Sequence, residues 1–363
     1  MKRIACAVIG GGPSGLTAAL TLLQSGVDVH LFERSHKLGG QLIKQTHKFF
    51  GSKEQYAKTR GFDIAAKLIA DLEPYKDRLT IQTEATVAAI YPDNVFTVTK
   101  QDRYEKYQAD AIVVATGASE KFIAFENNDL PGVYGAGAVQ TLMNLYGVLP
   151  AKRIVMVGSG NIGLIVSYQL MQAGVEVAAV LEAAPTIGGY KVHASKLARL
   201  GVPILTQRTV KKAIGSTGVE AVETVALDQN WQMVPGSEAI IEADAVCVSV
   251  GLSPLHPLLS MAGCEMKFVA ELGGLVPFVD DQRMTTKQGI FVAGDCIGIE
   301  EASSAIVEGY LTGLFTARYL GKPHPDMNEL VGRYEAQLSN LRGGPFGKKT
   351  LVGLAKLKEA RHA

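Results

Sequence analysis

Gly10, Gly12 and Gly15, and again Gly158, Gly160 and Gly163, write the spacing G-x-G-x-x-G twice in one chain. That spacing suits a pyrophosphate. The first glycine permits a tight strand-to-helix turn, the second lets phosphate approach the backbone, and the third lets the helix pack on the strand. A helix opening at Pro13 and Ser14, or at Asn161 and Ile162, would aim free N–H groups and its positive dipole end at that phosphate. Glu33, followed by Arg34, closes the first copy, and Glu182 closes the second. A carboxylate at that place can accept hydrogen bonds from an adenosine ribose.

The elements that must position these residues are legible around them. Residues 4–33 run as an apolar strand, a glycine turn, a helical period and a second strand, and residues 153–182 repeat the pattern. Each helix closes on a glycine, Gly26 or Gly174, at the same distance from its opening glycine. The copies lie too far apart for a solenoid, so the expectation is two related α/β domains, each Rossmann-like. Glu182 falls one residue later than strict register with Glu33, and a one-residue offset on a strand reverses the side chain. Lys191 or another base could then accommodate an extra phosphate.

With 363 residues, 47% of them apolar and 20% charged, the chain has the composition of a globular protein of about two domains. A net charge of +1 gives no global attraction to nucleic acid or anionic lipid. No apolar run reaches the roughly 18–20 residues of a membrane span. Gly10 to Pro13 break the N-terminal apolar run too early for a signal peptide, which leaves the cytoplasm as the expected compartment. Cys6, Cys247, Cys264 and Cys296 form neither a C-x-x-C pair nor a zinc spacing, and no metal is expected. Cys6 and Cys247 sit in strand-like runs and read as buried small hydrophobes.

Three further segments, in this order behind the first glycine motif, resemble flavoproteins with two dinucleotide-binding domains, of the thioredoxin-reductase-like type. They are TEATV (83–87), IVVATGA (112–118) and GIFVAGDC (289–296). The resemblance covers residues up to about 320. It implies FAD in the first domain, with Val87 presenting backbone to adenine, Thr116 and Gly117 at the domain exit, and Gly294 and Asp295 at the ribityl or pyrophosphate region. The helix after Asp295 would aim its N-terminus at the flavin. Gly40 and Gln41 of L-G-G-Q would lie beside the isoalloxazine, with Lys44 or His47 close enough to tune it. The second domain, with Gly251 at its exit, would take NAD(H). A carboxylate at Glu182 about 4 Å from a 2′-phosphate would repel it by roughly 4 kcal/mol at a dielectric of about 20, which favours NAD over NADP. The implied architecture is an FAD domain in two parts, residues 1–118 and 253–322, an NAD domain at 119–252 inserted between them, and a basic C-terminal tail at 323–363.

More narrowly, residues 127–163 and 293–309 resemble the FAD/NAD subunits of heteromeric amine- and imino-acid-oxidising enzymes, such as sarcosine oxidase alpha, hydrogen cyanide synthase, opine oxidase and proline dehydrogenase. The resemblance implies an oligomer with a redox partner, a second flavin subunit, an iron–sulfur protein or both. The departures matter too. Residues 131–141 lack the cysteine pair of thioredoxin reductases, and residues 38–51 lack that of glutathione-reductase-type enzymes. Without a thiolate there is no covalent relay, so electrons must leave the flavin directly. No catalytic acid or base is identified, because hydride transfer asks the protein only for ring placement near roughly 3–3.5 Å. Two such domains fill the chain to about Gly321, so no separate amine-binding domain is expected. Residues 341–363 carry six bases against Glu359, net +5, which reads either as a solvated terminus or as a docking element hinged at Gly343, Gly344, Pro345 and Gly347. Two other functions fit the same residues: a stand-alone flavoenzyme acting on a small amine, imine or enone, and a structural subunit that binds NAD without turnover.

Overall fold

The computed structural model describes residues 1–49, 53–344 and 347–362. The chain divides into two compact units, Met1–Ser119 with Leu252–Ala363, and Glu120–Gly251.

The first unit opens with β1 (Lys2–Ile9), α1 (Pro13–Gln24), β2 (Val29–Phe32), α2 (Gly61–Ala70) and β3 (Leu79–Gln82). β4 (Thr86–Tyr91), β5 (Val95–Lys100) and β6 (Arg103–Val114) follow as an antiparallel meander. The sheet order is β3-β2-β1-β6-β5-β4, with β1, β2, β3 and the last residues of β6 running parallel. β1 is apolar on both faces because both are covered. Cys6 and Val8 face α1 and its neighbours, whereas Ala7 and Ile9 face Phe32, Phe96 and Tyr107 on the other side. Those three aromatic rings meet at centroid distances of 5.2–5.4 Å.

The second unit holds β7 (Val133–Gly135), α3 (Ala136–Tyr146), β8 (Arg153–Val157), α4 (Asn161–Gln172), β9 (Glu176–Glu182), α5 (Lys191–Arg199) and β10 (Ile204–Thr206). An antiparallel sheet of β11 (Arg208–Ile214), β12 (Ala221–Ala226) and β13 (Ala239–Glu242) precedes β14 (Ala245–Val248). The main sheet is parallel throughout, in the order β10-β9-β8-β14-β7. Each cradle strand is thus an inner strand, with its helix packed on one face.

Returning to the first unit, β15 (Ile290–Val292) pairs with the end of β6, and α6 (Ala302–Tyr319) packs along α1. Gly309 and Gly313 allow that approach. A Cβ on Gly309 would lie 2.2 Å from the Ser14 carbonyl oxygen, and one on Gly313 would lie 2.6 Å from that of Ala18. Thr17 Oγ1 crosses the seam to the Ile306 carbonyl at 2.9 Å. No described helix is long and apolar enough to cross a membrane.

The segment read from sequence as a basic tail is instead α7 (Met327–Arg342) and α8 (Gly347–His362), counted with the first unit. Met327, Tyr334 and Leu338 of α7 join the core around α1, and Leu357 of α8 packs with Val269, Leu272 and Val276. The charge count misled because Arg342 is buried in ion pairs and Lys356 pairs with Glu271. Pro345 lies outside the described residues.

Candidate functional site

In the first copy, the chain's own packing uses the outer glycines and leaves the middle one open. Gly10 has φ +110°, and a Cβ there would lie 2.3 Å from the Ala115 carbonyl oxygen. One on Gly15 would lie 1.9 Å from the Gly10 oxygen. By contrast, nothing approaches a Cβ on Gly12 closer than Gly40 Cα at 3.8 Å. That open face adjoins the first turn of α1, where Ser14 and Gly15 have no intrahelical acceptor and Pro13 needs none. Glu33, only 8% exposed, accepts the Gly11 N–H at 2.8 Å and the Ser35 N–H at 2.7 Å. Arg34 beside it is exposed. Gly39 donates to the Gly11 carbonyl at 2.8 Å, bringing Gly40 over Gly12, and exposed Gln41 follows in a short 3-10 turn.

The other residues read from sequence gather at the same end of the sheet. The Thr116–Gly117 turn follows β6, with Thr116 Oγ1 donating to the Leu255 carbonyl at 2.9 Å. Cys296 Sγ lies 3.1 Å from both Thr116 Oγ1 and Gly117 N. Burial pushes the Cys296 thiol up to about 11, so it is a brace for the turn and carries no thiolate. Gly294 sits against Ser14, where a Cβ would lie 2.7 Å from Ser14 Oγ. Val87 lies in β4 opposite Val98, and the residues zipped to Glu33 and Ser35 are Ala85 and Glu84.

Asp295 stands apart from its neighbours in being poorly satisfied: its carboxylate accepts the Glu300 N–H at 3.3 Å. Burial pushes it up to about 7, the Glu300 N–H opposing the rise and the Glu300 charge adding to it. A raised carboxyl gives stability that is full below the unfolded value and is lost as pH climbs through about 7. Flavin-free Asp295→Asn protein should therefore be more stable than wild type at pH 8, by roughly 1–3 kcal/mol. The difference should vanish toward pH 4, and urea melts across that range would check it.

The second copy repeats the design in detail. Gly158 has φ +106°, and a Cβ there would lie 2.1 Å from the Ser249 carbonyl oxygen; one on Gly163 would lie 2.2 Å from the Gly158 oxygen. Nothing lies within 4 Å of a Cβ on Gly160. Glu182 accepts N–H groups from Ser159 at 3.0 Å and Ala184 at 2.9 Å, as Glu33 does from Gly11 and Ser35. The side chain does not turn away, despite the extra residue. β8 and β9 shift register between Val177 and Ala179, and Val157 then pairs with Leu181 as Ile9 pairs with Phe32. A bulge at the strand's start thus absorbs the offset. The hydroxyl of Ser159, absent at Gly11, adds a bond to Glu182 and accepts the Gly188 N–H at 3.0 Å. Asn161 Oδ1 accepts the Tyr190 N–H at 2.8 Å, while Ile162 stays partly exposed. Gly251 lies two residues beyond Ser249 and accepts the Lys121 N–H at 2.9 Å.

Sequence reasoning singled out Gly40 and Gln41 but missed the matching loop over the second turn, although a signal was there. Gly39 and Gly40 follow Glu33 by the same count as Gly188 and Gly189 follow Glu182. Ser159, Cys296 and Glu300 carried no pattern that would single them out. All four cysteines are free and buried.

The opine oxidase A protein of Agrobacterium tumefaciens is 29% identical over 321 residues, covering 85% of this chain and 64% of the relative. The HcnB protein of hydrogen cyanide synthase from Pseudomonas protegens is 24% identical (85% and 69%), and sarcosine oxidase alpha of Rhizobium meliloti is 26% identical (88% and 31%). The chain spans a little under two thirds of the opine oxidase relative, and under a third of sarcosine oxidase alpha. The fold is shared with L-proline dehydrogenase from P. horikoshii, at TM-score 0.69, 24% identity and coverage of 93% of this chain and 59% of that one. It is also shared with T. acidophilum thioredoxin reductase, at TM-score 0.71, 20% identity and coverage of 88% and 99%. The profile that describes pyridine nucleotide-disulphide oxidoreductases matches residues 4–309, so the chain belongs to that family and is an oxidoreductase of two Rossmann-like dinucleotide folds.

Proposed function

We propose that the first unit holds FAD, that the second holds NAD(H) in preference to NADP(H), and that the protein relays electrons within a heteromeric amine- or imino-acid-oxidising enzyme. The observation carrying this reading is the pair of matched cradles. In each, a clasped carboxylate stands beside a middle glycine whose outer face is open. When bound, FAD and NAD supply the two-electron redox chemistry. This chain's residues hold and orient them. Glu33 and Asp295 would take flavin-side hydroxyls, the α1 and α4 N-termini the pyrophosphates, and Glu182 the second adenosine ribose.

Two observations bear on the rest of the reading. Glu182 is fixed by backbone donors, so a 2′-phosphate beside it would meet a carboxylate that cannot swing away. The expected penalty, about 4 kcal/mol, corresponds to roughly a thousandfold weaker binding of NADPH. The cysteines leave no dithiol to relay electrons, since burial pushes the Cys247 thiol up to about 12 and raises that of Cys264. Support for partners comes from relatives that are named as subunits.

Anaerobic stopped-flow mixing of the flavin-loaded chain with NADH should bleach the flavin band, and NADPH should do so far more weakly. A yellow protein that NADH leaves unbleached, alone and in the complex purified with its partners, would defeat the relay.

A further inference from the structure

We propose that Arg342, on α7 and beyond the segment matched by the family profile, is a positioning residue for the flavin cradle: it holds Glu300 and thereby the loop that carries Asp295. The inference rests on the assignment of FAD to the first unit.

The loop from Asp295 to α6 is short and has to place one carboxylate. Glu300 donates its backbone N–H to Asp295 Oδ1, and its own carboxylate is gripped by Arg342 through Nε at 3.0 Å and Nη2 at 2.6 Å. The same Nη2 reaches Glu308 of α6 at 2.6 Å, and Arg283 Nε approaches Glu308 from the other side at 2.7 Å. The four side chains are between 5% and 18% exposed. A buried fork-to-carboxylate contact fixes angle as well as distance, which a lysine's point charge cannot do. Such pairs contribute orientation more reliably than net stability.

A second brace, independent of charge, reaches the same loop. Ile299 donates to the Leu272 carbonyl at 3.0 Å, and a Cβ on Gly298 would lie 2.8 Å from Leu272 Cδ2. Leu272 is itself gripped from outside by α8, where a Cβ on Gly353 would lie 2.6 Å from Leu272 Cγ. Both C-terminal helices therefore press on residues 297–300, one through Arg342 and one through Leu272.

The test is titration of the flavin-free full chain with FAD, followed by flavin fluorescence, with a thermal melt of each variant. Arg342→Met should weaken FAD binding at least tenfold, and Arg342→Lys should fall between Met and wild type. Glu308→Gln should lower the melting temperature yet keep FAD affinity within about twofold, because the Arg342–Glu300 contact survives. If Arg342→Met fails to fold, Glu300→Gln, which keeps side-chain shape, should weaken FAD about fivefold. Wild-type FAD affinity in Arg342→Met, or in Glu300→Gln where it stands in, would overturn the inference. So would an equal loss of affinity in Glu308→Gln. A wild-type chain that takes up no FAD would overturn the assignment of the first cradle itself, and this inference with it.

Discussion

Gly160→Val protein should fold, keep its flavin and lose NADH, with affinity falling at least a hundredfold. The residue's backbone lies at φ −64° and ψ 172°, extended values that valine adopts readily. Chain neighbours aside, no protein atom lies within 4 Å of the new Cβ, so the branch point itself meets open space. Changing an N-cap glycine costs about 1 kcal/mol at most. The methyl groups would occupy the space beside the first turn of α4 where a pyrophosphate needs contact with backbone. A hundredfold loss corresponds to about 2.7 kcal/mol, modest for a charged group pushed off a helix end. Isothermal titration with NADH, alongside the flavin-to-protein absorbance ratio, separates the two cradles. Gly12→Ala is the mirror experiment and should cost the flavin. Gly163→Ala is the contrast: its Cβ would lie 2.2 Å from the Gly158 oxygen, so it should impair folding of the second unit. NADH affinity unchanged in Gly160→Val would mean the second turn holds no phosphate.

Glu308→Gln should destabilise the first unit by about 3–5 kcal/mol, because it leaves the Arg283 guanidinium, 18% exposed, without its counter-charge and Arg342 with Glu300 alone. Arg283 and Arg342 both point at this carboxylate, which is only 5% exposed. For a unit of this size the loss corresponds to a drop of about 6–20 °C in melting temperature. Burial alone would raise the Glu308 carboxyl, but the two arginines outweigh it and hold the group below the usual carboxylate range. Its contribution is therefore present above the unfolded carboxylate value and fades as pH falls through the lower folded one. The gap between wild type and variant should stay constant from neutrality to about pH 4 and narrow below that. Thermal melts at pH 7 and pH 3 would show it. An equal gap at both would mean that shape, not charge, stabilises the pocket.

The cradles were legible because their chemistry is local. Glycine spacing, strand periodicity and a terminal acid all lie within about thirty residues, and the chain between them has few ways to fold. Glu182 marks where local counting fails. A bulge needs a partner strand to define it, so no count of residues from Gly158 could foretell that the acid returns to register. Arg342 marks the opposite failure. Its charge placed it with exposed lysines, yet its partners Glu300 and Glu308 lie far up the chain, and only tertiary packing makes it buried. Cys296 belongs with it, since a lone cysteine after G-D says nothing about the Thr116 turn it braces.

The split between the two units sets an order of birth. A ribosome delivers Glu120–Gly251 as one uninterrupted stretch, so the second cradle can be finished while the nascent chain is still growing. The first must wait, because Ser14 and Gly10 emerge early whereas Gly294, Asp295 and the helix bearing Gly309 follow only after the whole second unit. On the proposed reading, flavin capture needs both separated parts of the first unit, and a message cut before Gly294 would yield a second unit beside an incomplete flavin cradle.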